Sequence, residues 1–435
     1  MASRPPRTRL EQRVQSEHLS LRDFLGAFHT AGKEIGESEH VSERQAKRWL
    51  AGDSDMPRPV SCRILEHWWG EPVATLLGEP SVALTPALPT AANAEELFTA
   101  SARDAGQHAL SVAQALDAAA LEQLHADAQS AARSYFTAPP LALFADLVQL
   151  RTTVCDQLDR TRKPRQEAEL YLLLGQVSGL LSSVSTALGY LKAAEEHARA
   201  AFTYGRIIDH ASLCAWARAL QVAATFWDGR PRQAVEIGAS ALEAAPAGTA
   251  RVRLYSVQAR ALALIGARDE AHDALHAADA QLDRAGGDVL LDEFGGELGF
   301  SAARAELCAS SAYIALGEAA DAERAALSAV TLFEELDGSD RWAAGEIGAR
   351  IDLGTARTLR GDLAGAQDAL SPVFLLEPQR RTEALSRRLV GLGRVLASRP
   401  YRGAIEAVTL GGKIEKFTAR SLSRTARALG PGASS

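Results

Sequence analysis

The chain has 435 residues, 47% of them apolar and only 6% aromatic, so its core must be built largely from Ala, Leu and Val, and an almost wholly α-helical protein is expected. Its net charge of −7 is segregated: residues 1–78 balance 11 basic against 11 acidic side chains, residues 379–435 carry 12 against 3, and the middle holds 24 against 40. An acidic helical middle is a poor partner for nucleic acid, so contact with phosphate should come from the two ends.

Residues 1–18 read as a disordered basic arm with Arg4, Arg7, Arg9 and Arg13, and no apolar run follows those arginines to make a secretory signal. From Leu19 to Ile35 the residues Leu21, Phe24, Leu25, Phe28, Ala31 and Ile35 recur at helical spacing, enough for one bent helix or two short ones. A turn at 36–40 leads into SERQAKRWLAG, residues 42–52. There Ser42 and Gln45 have capping-box spacing, and Gly52 is the residue type that closes a helix. At roughly 100° per residue, Ser42, Ala46, Trp49 and Leu50 share one side while Arg44 and Arg48 lie opposite. A Pro-punctuated loop over 53–59 follows. Ser61 then suits the cap of a helix over 62–69, Gly70 its end, and Pro72 the start of a last turn.

The order VSERQAKRWLAGD, a Pro loop, then CRILEHWWGEPVATLLG resembles the second half of the lambda-repressor-like (Cro/repressor or XRE) helix-turn-helix family, over residues 20–78. The chain departs from that pattern by inserting GESEH, residues 36–40, where the family has a tight Gly turn. The resemblance implies a recognition helix in the major groove of double-stranded DNA. Carried onto this chain, it makes Arg44 and Arg48 base readers, since Arg donates two hydrogen bonds to guanine, and Glu43 an acceptor for cytosine. Gln45 is shared between a cap and a base, while Ser42, Lys47 and Arg58 would grip phosphate.

Residues 79–93, with three prolines among small residues, have linker composition. Helices succeed one another from Ala94. Leu170 to Leu191 carries no charge and holds Gly175 and Gly179 at G-x-x-x-G spacing, which imitates a membrane span, although its Ser, Thr and Gln residues point to a buried helix instead. A frame of Gly, then Ala five and twelve residues on, recurs at Gly189/Ala194/Ala201, Gly229/Ala234/Ala241, Gly266/Ala271/Ala278 and Gly317/Ala322/Ala329. It returns as Gly361/Ala366/Val373. This spacing resembles the tetratricopeptide repeat, with Gly turning between two antiparallel helices and small residues letting them approach. The glycines are 40, 37, 51 and 44 residues apart, longer than the ideal of about 34, so helices or connections are extended.

LYLLLGQVSGLL and WARALQVAATFWDGRPRQAVEIG also resemble segments of actinobacterial regulators that join such a helix-turn-helix to a tetratricopeptide domain. That resemblance implies an all-α, cytoplasmic, dimeric transcriptional regulator. It comprises a DNA-binding domain over 19–78, a linker over 79–93, a tetratricopeptide-like α-solenoid over 94–378, and a basic helical cap and tail over 379–435. It also implies a peptide, small-molecule or protein ligand in the repeat groove. Groove asparagines hold the peptide in many such receptors, and Asn93 is this chain's only asparagine, so Gln176, Arg253, Gln258 and Arg260 are the candidate replacements. The competing reading is a repeat adaptor whose head domain binds protein.

No nucleophile elbow, Walker loop, H-E-x-x-H or dinucleotide fingerprint occurs, so neither enzyme activity nor a cofactor is expected. His272 and His276 have metal-ligand spacing on a helix but fit an exposed polar face better. Cys62, Cys155, Cys214 and Cys308 form no close pair and read as inert thiols.

Overall fold

The computed structural model describes residues 6–17, 19–53, 56–80, 98–99, 101–106, 118–336 and 341–422. It is all-α, without a strand among those residues. The chain divides into two compact units, Met1–Arg103 and Asp104–Ser435.

Among the described residues, five short helices build the core of the first unit: α1 (Arg9–Ser16), α2 (Leu21–Glu34), α3 (Glu43–Ala51), α4 (Pro59–Trp69) and α5 (Val73–Leu76). Their ends follow local chemistry. Ser20 and Asp23 form a complete capping box on α2, Ser42 Oγ accepts from the Gln45 amide at the start of α3, and Gly52 closes it in the left-handed conformation. Phe24, Phe28, Ala46, Trp49, Ile64 and Leu65 meet in the core. The segment from Leu19 to Ile35 resolves into one helix. Ser61 is not a cap, because Pro59 at the first position opens α4 earlier, and the Ser61 hydroxyl bonds the Glu39 carboxylate inside.

The basic arm is a second correction. Residues 9–16 form α1, capped by Thr8, and Leu10 and Val14 are buried in the unit's core. Thr8 donates to the Leu50 carbonyl at 2.8 Å, and Arg9 and Arg13 both pair with Glu71 at 2.5 Å. Those two charges are satisfied within the protein. Arg4 lies outside the described residues.

In the second unit, α6 (Ala118–Ser134) and α7 (Pro140–Arg160) precede five helical hairpins: α8 (Pro164–Leu188) with α9 (Leu191–Ile207), and α10 (Ala211–Trp227) with α11 (Pro231–Ala244). Then come α12 (Thr249–Leu264) with α13 (Arg268–Leu282), α14 (Ala302–Leu316) with α15 (Ala319–Glu334), and α16 (Ala343–Leu359) with α17 (Leu363–Leu370). The hairpin turns sit at Gly189, Gly229, Gly266, Gly317 and Gly361, each with φ between 76° and 85°, where an L side chain costs roughly 1–2 kcal/mol. Ala194, Ala234, Ala271, Ala322 and Ala366 are all fully buried. The repeating frame is thus a left-handed turn followed by a small residue where the second helix crosses the first. Each first helix also packs on the first helix of the next hairpin.

The uncharged run lies in α8, and 78% of its apolar window is buried inside the protein. Its glycines serve helix packing: a Cβ on Gly179 would overlap the Trp216 ring of α10. The long interval between Gly266 and Gly317 holds an insert over 283–301, including one π-helical turn, Val289–Glu293. Leu290, Leu291 and Leu298 of this insert bury themselves in the core formed by α8, α10 and α12.

Beyond the hairpins come α18 (Glu383–Leu396) and α19 (Ile405–Ala419). Within the expected helical cap, α18 buries Leu385, Leu389, Leu392 and Leu396 and packs not only on α16 of the last hairpin but also on α8. Glu383 lies against Gly189, and Arg387 donates to the Trp227 carbonyl. The row of first helices closes on itself. Arg424 and Arg427 of the basic tail lie outside the described residues.

Candidate functional site

The first candidate site is the outer face of α3. Ala46 and Trp49 are buried, with Trp49 packed on Phe28 at 5.9 Å between ring centroids, so the opposite stripe must face outward. There Arg44 is exposed and makes no hydrogen bond or ion pair among the described residues. It lines a shallow hollow with Arg7, Glu43, Lys47 and Arg48. The other expected readers are differently placed. Arg48 folds back so that Nε and Nη2 donate to the Asp53 carbonyl at 3.2 and 3.0 Å, securing the helix end. Lys47 lies 4.0 Å from Glu43 along the helix, and exposed Arg58 is 3.7 Å from Glu39. Gln45 is half-buried, and Ser42 is engaged as the cap. The inserted GESEH turn is tied to α4 through Glu37–Arg63 and Glu39–Ser61.

The second candidate site is a cavity of about 200 Å³ in the second unit, many times the ~15 Å³ that one water needs. Much of its wall comes from the first helices of the hairpins: Ser183 and Ala187 of α8, Ala219 and Ala223 of α10, Arg253, Val257 and Arg260 of α12, Arg304 and Cys308 of α14, and Gly348 of α16, with Arg388 of α18 beside them. Small residues, among them Ala187, Ala219, Ala223 and Gly348, line it together with Leu220, Leu307 and Leu385. Aromatic rings close it. Trp342 stacks near Tyr135 and Phe136 at 6.3 and 6.2 Å, and Phe300 and Trp227 complete the lining.

Five arginines but only one acid line this cavity among the described residues. Glu297, 3% exposed, is a buried hub. Its amide donates to the Ala132 carbonyl, its carboxylate accepts from Ser183 at 3.0 Å and Arg304 at 2.9 Å, and Arg253 approaches to 3.7 Å. Arg388 is paired with Asp352, which also accepts from Ser310 and Ser311. Arg260 has no described carboxylate within ion-pairing distance. Its guanidinium stacks over Phe226 and Trp227 at 4.7 and 5.1 Å and lies beside the Cys308 thiol. Burial, then the neighbouring Arg388 charge, lowers its pKa to about 10. The same combination of burial and a cation, here Arg304, brings Arg253 to about 9.

Of the four groove candidates, the structure brings Arg253 and Arg260 to the cavity. Gln258 is turned away, its side chain lying 3.5 Å from where a Cβ on Gly238 of α11 would be. Gln176 is buried on α8, two turns before Ser183 and roughly 10 Å along the axis, and its Oε1 has no hydrogen-bond partner among the described residues. Glu297, Phe300, Arg304, Trp342 and Arg388 join the site without a sequence motif to mark them. The one signal pointing to the first three is the 51-residue glycine interval. His272 is engaged by Glu318 at 2.9 Å, and burial raises the pKa of the Cys62, Cys155 and Cys214 thiols. No family model matches this chain, and no curated protein matches it.

Proposed function

We propose that the chain is a sequence-specific DNA-binding regulator whose second unit holds a ligand. The observation that carries the reading is Arg44, exposed and unpaired among the described residues, on a short capped helix whose opposite face is locked in a core. Arg7, Lys47 and Arg48 surround it, so one small surface offers a bidentate donor for a base edge and further cations for phosphate. The five-helix unit agrees with the helix-turn-helix resemblance, and the hairpins turning at Gly189 to Gly361 agree with the tetratricopeptide one. Operators are commonly read as two half-sites, so the active species is a homodimer.

Titration of labelled genomic DNA fragments at several salt concentrations tests the reading. Affinity should fall steeply with salt, and Arg44→Ala should cost about 1–3 kcal/mol on the preferred sequence while relaxing base preference. Lys47→Ala should weaken all sequences alike and reduce the salt slope by about one. An isotherm unchanged by Arg44→Ala would favour a repeat adaptor whose head domain binds protein.

A further inference from the structure

The cavity of the second unit carries charge that the protein does not neutralise. Arg253 and Arg304 share Glu297, and Arg388 has Asp352, which leaves Arg260 half-buried with no carboxylate within ion-pairing distance among the described residues, Asp352 acting on it only at longer range. Burying a guanidinium away from water is costly unless a counter-charge or hydrogen bonds replace its hydration. Stacking on Phe226 and Trp227 and a hydrogen bond with the Cys308 thiol offset part of that cost. A second group points the same way: Arg253, only 4% exposed, lines the cavity with its Nε lacking a hydrogen-bond partner among the described residues.

We propose that this cavity binds a small organic anion, a flat apolar body with one anionic head, and that Arg260 receives the head. The inference rests on the reading of the second unit as the ligand-holding half. The flat apolar body follows from the lining, in which the rings of Trp227, Trp342, Tyr135 and Phe136 occur with alanines and leucines. An extended peptide is disfavoured because α18 closes the row of first helices against α8 and the insert over 283–301 fills part of the interior. Arg380, exposed at the cavity edge, adds a cation on the way in.

The probe is 8-anilinonaphthalene-1-sulfonate, a flat aromatic monoanion, titrated into the full chain by fluorescence and calorimetry. N-phenyl-1-naphthylamine serves as the neutral analogue of similar shape. Saturable 1:1 binding of the anion is expected, and Arg260→Gln should weaken it at least about tenfold while changing the neutral analogue less than about twofold. Arg260→Lys, which keeps the charge but not the stacked fork, should fall between wild type and Arg260→Gln. Arg268→Gln, on the outer surface beside Glu318, should leave both affinities unchanged. Near-ultraviolet circular dichroism checks that each variant keeps native packing. Should Arg260→Gln lose that packing, Arg380→Gln at the exposed edge takes its place, with slower association of the anion alone as the expected result.

Equal affinity for the two probes, or anion binding indifferent to Arg260→Gln in a native fold, overturns the proposal. So does Arg380→Gln leaving association unchanged where Arg260→Gln has lost its packing. DNA titrations of the same proteins without probe separate the two readings: salt-sensitive DNA binding with no anion selectivity sinks the anion inference alone, and anion selectivity without DNA binding sinks the regulator reading alone.

Discussion

Glu71 illustrates how one carboxylate organises a segment that composition marks as a free tail. Hydrogen bonds from Arg9 and then Arg13 hold its carboxyl below the ordinary value of 4.5. A depressed folded-state pKa means that the stabilising contribution is complete above that ordinary value and is lost as pH falls through the folded one. Both arginines are partly exposed, so screening keeps the effect under about 1 kcal/mol. Glu71→Gln should therefore lower the stability of the first unit at pH 7, with the gap to wild type shrinking below pH 4.5. Denaturant melts followed by Trp49 fluorescence measure this. A gap that stays constant on acidification would show that the ion pairs do not hold α1. Arg48 carries the companion lesson: a side chain on the outward stripe of α3 can still be committed to its own helix end.

At the scale of elements, glycine has two opposite meanings in this chain. Gly179 lies where α8 and α10 touch, and a methyl group there would overlap the Trp216 ring. Gly179→Ala should cost about 1–3 kcal/mol through overpacking. Gly411, in α19, has no atom within 4 Å of the point that an alanine methyl would occupy, so Gly411→Ala should stabilise by roughly 0.5–1 kcal/mol by restricting the unfolded chain. Thermal melts of the two variants should move in opposite directions. A shift of the same sign in both would mean that backbone entropy, not helix contact, governs Gly179.

For the whole molecule, the two units own separate cores, one centred on Phe24, Phe28 and Trp49 and the other on α8, α10 and α12. Calorimetry should resolve two unfolding transitions. Trp49→Ala should displace only that of the first unit, by about 3–5 kcal/mol. A single transition that moves as one would show the cores to be energetically coupled. Within the second unit, stability is not a plain sum over hairpins, because α18 returns to α8 and the insert bridges α6, α8, α12 and α14 through Glu297. A chain of independent neighbours would lack both contacts.

The amino-acid sequence by itself determined whatever depends on a few consecutive residues: helix spans from apolar period, the start of α3 from Ser42, its end from Gly52, and the five hairpin turns from glycines followed by small residues. These features arise from backbone sterics, capping and the reach of one helical turn, which leave a local pattern. Tertiary structure alone decided that residues 9–16 would be a pinned helix, since their partner Glu71 is some sixty residues away. It also decided that Arg253 and Arg260 face a cavity while Gln258 does not, because the inward stripe of α12 is set by its neighbours. The cavity's charge belongs to the same level. Glu297 is one acid among 54 acidic residues in the chain, and only the fold brings it between Arg253 and Arg304 while leaving Arg260 without a partner acid among the described residues.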